Sequence, residues 1–253
     1  MAAVFLGVSL KMYLDHATTL GWVRQLTTIA DRSPAVTSGR VELAVLPTFV
    51  SIEAVAGLTR DTAVAHGAQD LAWADRGAFT GEVSGTDLAA LGCRYVEVGH
   101  AERRRLFGED DGIVAGKFAA AIRNGLVPIL CVGETERVGA GAAADHCVDQ
   151  VRTAMDQVER APELIIAYEP VWAIGADRPA GVDHVRAVCA GIRAGLVDDH
   201  RLSDVRVIYG GSAGPGLLTQ LGRETVDGLF LGRFAHDPEA MATMIDEASA
   251  LAG

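Results

Sequence analysis

The sequence predicts an α/β protein built as one (β/α)8 barrel domain over residues 1–253. Three observations lead there. Eight short apolar runs recur along the chain, they are continuous where a one-sided sheet would alternate, and helical patterns fill the intervals between them. A chain of 253 residues that is 49% hydrophobic can bury a core of that size, and no linker or second compositional regime divides it.

The first run covers residues 4–9. Asp15 is a cap residue for a helix whose Leu20, Val23, Ile29 and Ala30 share one face. Runs at 41–46 and 62–66 follow, and Leu91-Gly92 stops a helix before the fourth run at 94–98. Asn124-Gly125 ends the next helix in the same way and leads into 126–131. The small residues 139–144 make a loose start to a helix carrying Val148, Val151, Met155 and Val158 on one side. After the run 164–168, Val185, Val188, Ile192 and Leu196 repeat helical spacing, and the runs 205–209 and 226–231 complete the eight. Asp237-Pro238 opens a last helix with Met241, Met244, Ile245, Ala248 and Leu251 along one face.

Charge and composition exclude several classes of partner. A net charge of −11 leaves no extended basic surface for nucleic acid or an anionic membrane. Cys93, Cys131, Cys147 and Cys189 lie far apart inside apolar runs and are expected to be reduced, buried thiols. With no basic leader before residue 4 and no apolar run of membrane-spanning length, a cytoplasmic chain is expected. The seven histidines show no metal-ligand spacing, and the glycines of 210–216 do not match a dinucleotide loop, so neither metal nor cofactor is expected.

In such a barrel the chemistry gathers where strands end. Ser9 ends the first strand with Lys11 two positions on. Gly99-His100 end the fourth, Glu169 the sixth, Gly210-Gly211-Ser212 the seventh and Gly232-Arg233 the eighth. A cation, an imidazole, a carboxylate and two glycine-rich turns on one rim make a proton-transfer site beside an anion cradle. Pro170 biases Glu169 toward an extended backbone, and the apolar Val171, Trp172, Ala173 and Ile174 after it form a segment suited to fold down over the site. Glu97, inside the fourth run, is expected by alternation to point away from the barrel centre toward a helix and an arginine.

Six segments carry a resemblance. They are Lys11-Met12, Gly77-Ala78-Phe79-Thr80-Gly81-Glu82, Gly99-His100-Ala101-Glu102-Arg103-Arg104, Leu130-Cys131-Val132-Gly133-Glu134-Thr135, the stretch Ala167-Tyr168-Glu169-Pro170-Val171-Trp172-Ala173-Ile174-Gly175, and Tyr209-Gly210-Gly211-Ser212. In this order, across the whole chain, they resemble the motifs of the triosephosphate isomerase family. The resemblance implies that Glu169 is the base, a neutral His100 the electrophile and Lys11 the cation near the substrate oxygens, a division of labour described for that family itself. It also implies phosphate donors at Gly175, Gly211, Ser212, Gly232 and residue 233, with Glu102 as partner of Lys11. A homodimer is implied too, formed through the loop 73–82 with its Trp73 and Phe79, which would reach a second subunit near its residue 9.

Departures from the family pattern fall around the substrate. Ser9 stands where the family usually has Asn, Gly232-Arg233 where it has Gly-Gly, and Ala176-Asp177-Arg178-Pro179 where the lid usually continues Thr-Gly-Lys. Serine leaves room at the substrate end remote from phosphate, and arginine adds a cation with five donors at the phosphate end. Base and electrophile are kept. The pattern fits the same proton shift on a longer substrate and resembles the erythrulose-phosphate isomerase branch, with the triose pair as the nearer alternative. A silent, sugar-phosphate-binding barrel is a third reading, weakened by the joint presence of Lys11, His100 and Glu169. A metal-dependent or Schiff-base aldolase would need a ligand cluster or a strand lysine, and the sequence shows neither.

Overall fold

A computed structural model describes residues 3–174 and 180–253. The protein is an α/β TIM barrel, with eight parallel strands closed in chain order and helices around them. The strands are β1 (Val4–Ser9), β2 (Val41–Leu46), β3 (Val64–Ala68), β4 (Tyr95–Val98), β5 (Val127–Val132), β6 (Ala161–Tyr168), β7 (Leu202–Tyr209) and β8 (Gly228–Leu231). Pairing of Phe5 with Gly228 through Val8 with Leu231 joins β1 to β8 and closes the ring.

The strands read as continuously apolar because both faces are covered. Outward residues such as Val4, Leu6, Val96, Val98, Leu164 and Ile166 pack with the helices, while Phe5, Tyr95, Ile129, Ile165, Ile208 and Phe230 fill the lumen. Local signals act where the sequence puts them. The Asp15 carboxylate accepts from the Thr18 N–H at 2.7 Å to start the helix His16–Asp31, and Asp237 caps Pro238–Ala252. Gly92 and Gly125 take φ of +82° and +71° just past the helices they end.

Two expectations about the strands shift. The third strand runs two residues later than the apolar run 62–66 implies. Gly67 looks like an interruption of that run, yet a Cβ there would lie 2.3 Å from the Tyr95 carbonyl oxygen, so glycine is what lets β3 lie beside β4. The sixth and seventh strands start earlier than their apolar runs, because Glu163 and Asp204 are polar members of paired strands.

Glu97 corrects the alternation argument. Tyr95 and Glu97 face the lumen, whereas Val96 and Val98 face the helices. Counting back from His100 by strict alternation puts Glu97 outside. Gly99, at φ +75°, breaks the extended backbone between them and shifts the phase, so Glu97 and His100 share the inner side.

Candidate active site

The carboxyl ends of the strands bring Lys11, His100 and Glu169 to one cavity of about 280 Å³, lined also by Ser9, Glu102, Gly211, Ser212, Gly232 and Arg233. Lys11 Nζ donates to Glu102 Oε1 at 2.7 Å and lies 3.4 Å from His100 Nε2. Glu169 Oε2 is 3.3 Å from the same His100 nitrogen, buried and without an aligned hydrogen bond among the described residues.

Local structure fixes these groups. His100 is the N-cap of the helix Ala101–Phe107, and its Nδ1 accepts from the Glu102 N–H at 3.1 Å. With Nδ1 used as an acceptor, the neutral ring carries its proton on Nε2, aimed into the cavity. Burial, followed by the Lys11 charge, pushes His100 down to about 4, so the ring is neutral at physiological pH. Two donors, the Lys11 ammonium and His100 Nε2, thus stand close together around a position that suits a shared oxygen.

Lys11 holds a φ of +49°, the left-handed region that few side chains adopt. Gln69 Nε2 steadies that turn by donating to the carbonyls of Lys11 at 3.0 Å and Leu46 at 2.9 Å. Burial pulls the Lys11 ammonium down, but Glu102, Glu169 and Glu97 outweigh it and the group stays charged. Glu169 continues the β6 ladder, its N–H donating to Val132 O at 2.8 Å. Its carboxyl is raised well above the ordinary range by burial and then by Glu97, with Lys11 partly opposing. A Cβ at position 210 would lie 2.6 Å from Glu169 Oε1, so Gly210 leaves the carboxylate its space.

The segment after Glu169 is docked by a buried acid that the sequence reading passed over. Glu134 Oε1 accepts from Trp172 Nε1 at 2.7 Å and from the Tyr168 hydroxyl at 3.2 Å, and Arg137 stacks over the Trp172 ring at 5.2 Å. Ile174 reaches the cavity, and Ser212 Oγ donates to Ala173 O at 3.5 Å. Gly175 lies outside the described residues, as do positions 176–179 of the departure noted above. Arg233 stands at the opposite rim, exposed, with its guanidinium 5.4 Å from the Tyr13 ring.

Glu97 and Gln69 are the other residues missed. Ser9 Oγ donates to Glu97 Oε2 at 2.8 Å, and Glu97 Oε1 lies 3.8 Å from His100 Nε2. Gln69 follows the true end of β3, which the apolar run 62–66 places two residues early. His66, by contrast, has the satisfied structural role expected of it, bonded to Thr59 and the Leu91 carbonyl. All four cysteines are free and buried. No helix among the described residues is long and apolar enough to cross a membrane.

A family model described as triosephosphate isomerase matches residues 4–248, nearly the whole chain. The chain belongs to the triosephosphate isomerase family. It is 50% identical over 249 residues to the L-erythrulose-1-phosphate isomerase of Pectobacterium atrosepticum, covering 97% of this chain and 96% of the relative. It is 41% identical over 243 residues to the triosephosphate isomerase of Mycobacterium tuberculosis and 40% identical to that of Mycobacterium avium, covering 92% of each chain in both cases. The protein is therefore a sugar-phosphate isomerase of the triosephosphate isomerase type.

Proposed function

We propose that this isomerase moves the carbonyl of a four-carbon tetrulose phosphate, an erythrulose phosphate, between its two inner carbons. The observation that carries the reading is Ser9. Ser9, smaller than the family's usual asparagine, lines the cavity with Lys11 and His100, and in this reading the difference in volume accommodates one more hydroxymethyl group. The 50% identity to an L-erythrulose-1-phosphate isomerase supports it.

In this reading the phosphate lies at the β7–β8 rim, against Gly211, Ser212, Gly232 and Arg233. The carbonyl oxygen lies between Lys11 Nζ and His100 Nε2. Glu169 removes the proton from the carbon beside the carbonyl, and the C–H electron pair becomes the enediolate double bond as charge moves onto oxygen. Lys11 and His100 stabilise that oxygen, and His100 exchanges protons between the two adjacent oxygens. Glu169 returns the proton to the neighbouring carbon. No redox partner is needed, since one carbon is oxidised as its neighbour is reduced. The Trp172 segment, docked on Glu134, keeps water from the enediolate, which would otherwise expel phosphate.

Side-by-side assays of the purified protein on erythrulose phosphates and on dihydroxyacetone phosphate test the substrate. The four-carbon compounds should give the higher kcat/KM; a triose efficiency near the diffusional ceiling, on the order of 10⁸ M⁻¹s⁻¹, with slow tetrulose turnover would replace this reading by the triose one.

The homodimer belongs to the same proposal. Trp73 and Phe79 are 43% and 38% exposed and stack edge to face at 5.6 Å in the loop 73–82. A groove lined by Met12, Phe49, Val50, Leu106 and Phe107 opens beside Ser9, Lys11 and His100, which is where a partner's loop would fit. Sedimentation at micromolar concentration should show about twice the 26.5 kDa chain; the single chain alone would overturn the dimer.

A further inference from the structure

We propose that Glu97 and Ser9 together recognise the free hydroxymethyl end of the substrate, and so set the preference for a four-carbon over a three-carbon chain. The inference rests on the tetrulose reading above and adds the residue that would enforce it.

Glu97 is 3% exposed, and among the described residues no lysine or arginine lies within ion-pair distance of it. Its Oε2 accepts from Ser9 Oγ at 2.8 Å. Among the described residues its Oε1 has the Cys131 thiol and His100 Nε2 as polar neighbours, both at 3.8 Å. A buried carboxyl group with an under-used oxygen is costly to the fold, and one placed against a reaction centre is a candidate for binding a polar group. Burial pushes it up to about 7.

The position fits the end of the substrate that needs recognition. In the closed strand order β4 is four strands from β8 in either direction, so the strand that carries Glu97 stands across the barrel from the β8 turn with its Gly232-Arg233. A sugar phosphate held at that turn and reaching His100 directs its unphosphorylated end toward β4. Ser9, from β1, lines the cavity and leans across to Glu97. Glu97 lines the adjoining groove, which shares Ser9, Lys11 and His100 with the cavity, so a primary hydroxyl that passes Ser9 on the inner side of any partner loop meets the serine oxygen and Glu97 Oε1. A three-carbon substrate has no group to place there and leaves the carboxyl unsolvated.

The effect is read on Glu97→Leu, Glu97→Gln and Ser9→Ala with both substrate lengths, and by inhibition with glycerol 3-phosphate and a tetritol phosphate, neither of which can isomerise. Glu97→Leu should lower the tetrulose-over-triose ratio of kcat/KM by about 10- to 100-fold and abolish the preference for the tetritol inhibitor. Glu97→Gln and Ser9→Ala, which disturb the fold less, should lose part of the same preference. An equal fall on both substrates, or an unchanged inhibitor preference in all three variants, would overturn the assignment. Wild-type turnover of tetrulose phosphate with that second result leaves the substrate reading standing and removes only the subsite. A wild-type preference for the tetritol inhibitor, lost in Glu97→Leu but without tetrulose turnover, supports the subsite and refutes the reaction.

Discussion

The two ends of the barrel lumen both hold carboxylates, half-buried at the amino end and buried at the carboxyl end, and they treat them in opposite ways. At the amino end, Arg206 of β7 donates to Glu42 of β2 at 2.6 Å and to Glu163 of β6, and its guanidinium lies 5.2 Å from the Phe5 ring. Tyr95 donates its hydroxyl to Glu42, and Arg94 adds a second cation at 2.6 Å. Although burial raises Glu42, Tyr95, Arg206 and Arg94 together hold it below its ordinary value. At the carboxyl end, Glu97 and Glu169 lie near each other, and the cation that acts on both among the described residues, Lys11, is bonded to Glu102. There burial prevails and both acids are raised. The same fold thus yields a satisfied plug at one end and a pair of raised acids at the other; what differs is how deeply the acids are buried and whether a cation is aligned with each.

That contrast can be broken most severely at the amino end. Arg206→Met strips the cation from two acids, and should cost about 3 kcal/mol in urea unfolding while kcat of the folded enzyme holds; Arg94, half exposed, still faces Glu42 and limits the loss. A small stability change there would mean that the plug is ornamental. At the carboxyl end, Glu169→Asp retracts the carboxylate by one methylene. Turnover should fall on the order of a hundredfold with a lesser change in KM and almost none in stability, and unchanged turnover would point to another base.

The smallest effect is a difference in the sign of pH dependence. Glu97 binds its proton more tightly folded, at about 7, than its ordinary 4.5, so the stability it contributes is complete at low pH and lost as pH rises toward 7. Glu42, held low, contributes stability above its ordinary value that is lost on acidification. Unfolding measured from pH 4 to 8 should therefore show a decline on the alkaline side that flattens in Glu97→Gln. A decline of the same steepness in that variant would show that Glu97 is ionised like any exposed carboxylate.

Much of the molecule was legible without coordinates. Asp15, Gly92, Gly125 and Asp237-Pro238 signal helix ends through chemistry within a few residues of themselves, and the apolar runs locate eight strands because a doubly covered strand is apolar throughout. Lys11, His100 and Glu169 could be named because strand ends are where a barrel presents its reactive groups, and their surrounding motifs are long. The misses were of another kind. Gly67 disguised the end of β3 and hid Gln69; Gly99 shifted the phase of β4 and turned Glu97 from the helices to the lumen.

Element order and caps are therefore encoded in periodicity and near-neighbour chemistry, and the strand ends with their motifs single out Lys11, His100 and Glu169 as the candidates that the cavity brings together. Only the tertiary structure decided which face Glu97 takes, that Ser9 is its partner 88 positions away, and that Glu42 is satisfied where Glu169 is left poised. Those outcomes depend on distances between strands far apart in the chain and on the exclusion of water among them, neither of which exists until the barrel closes.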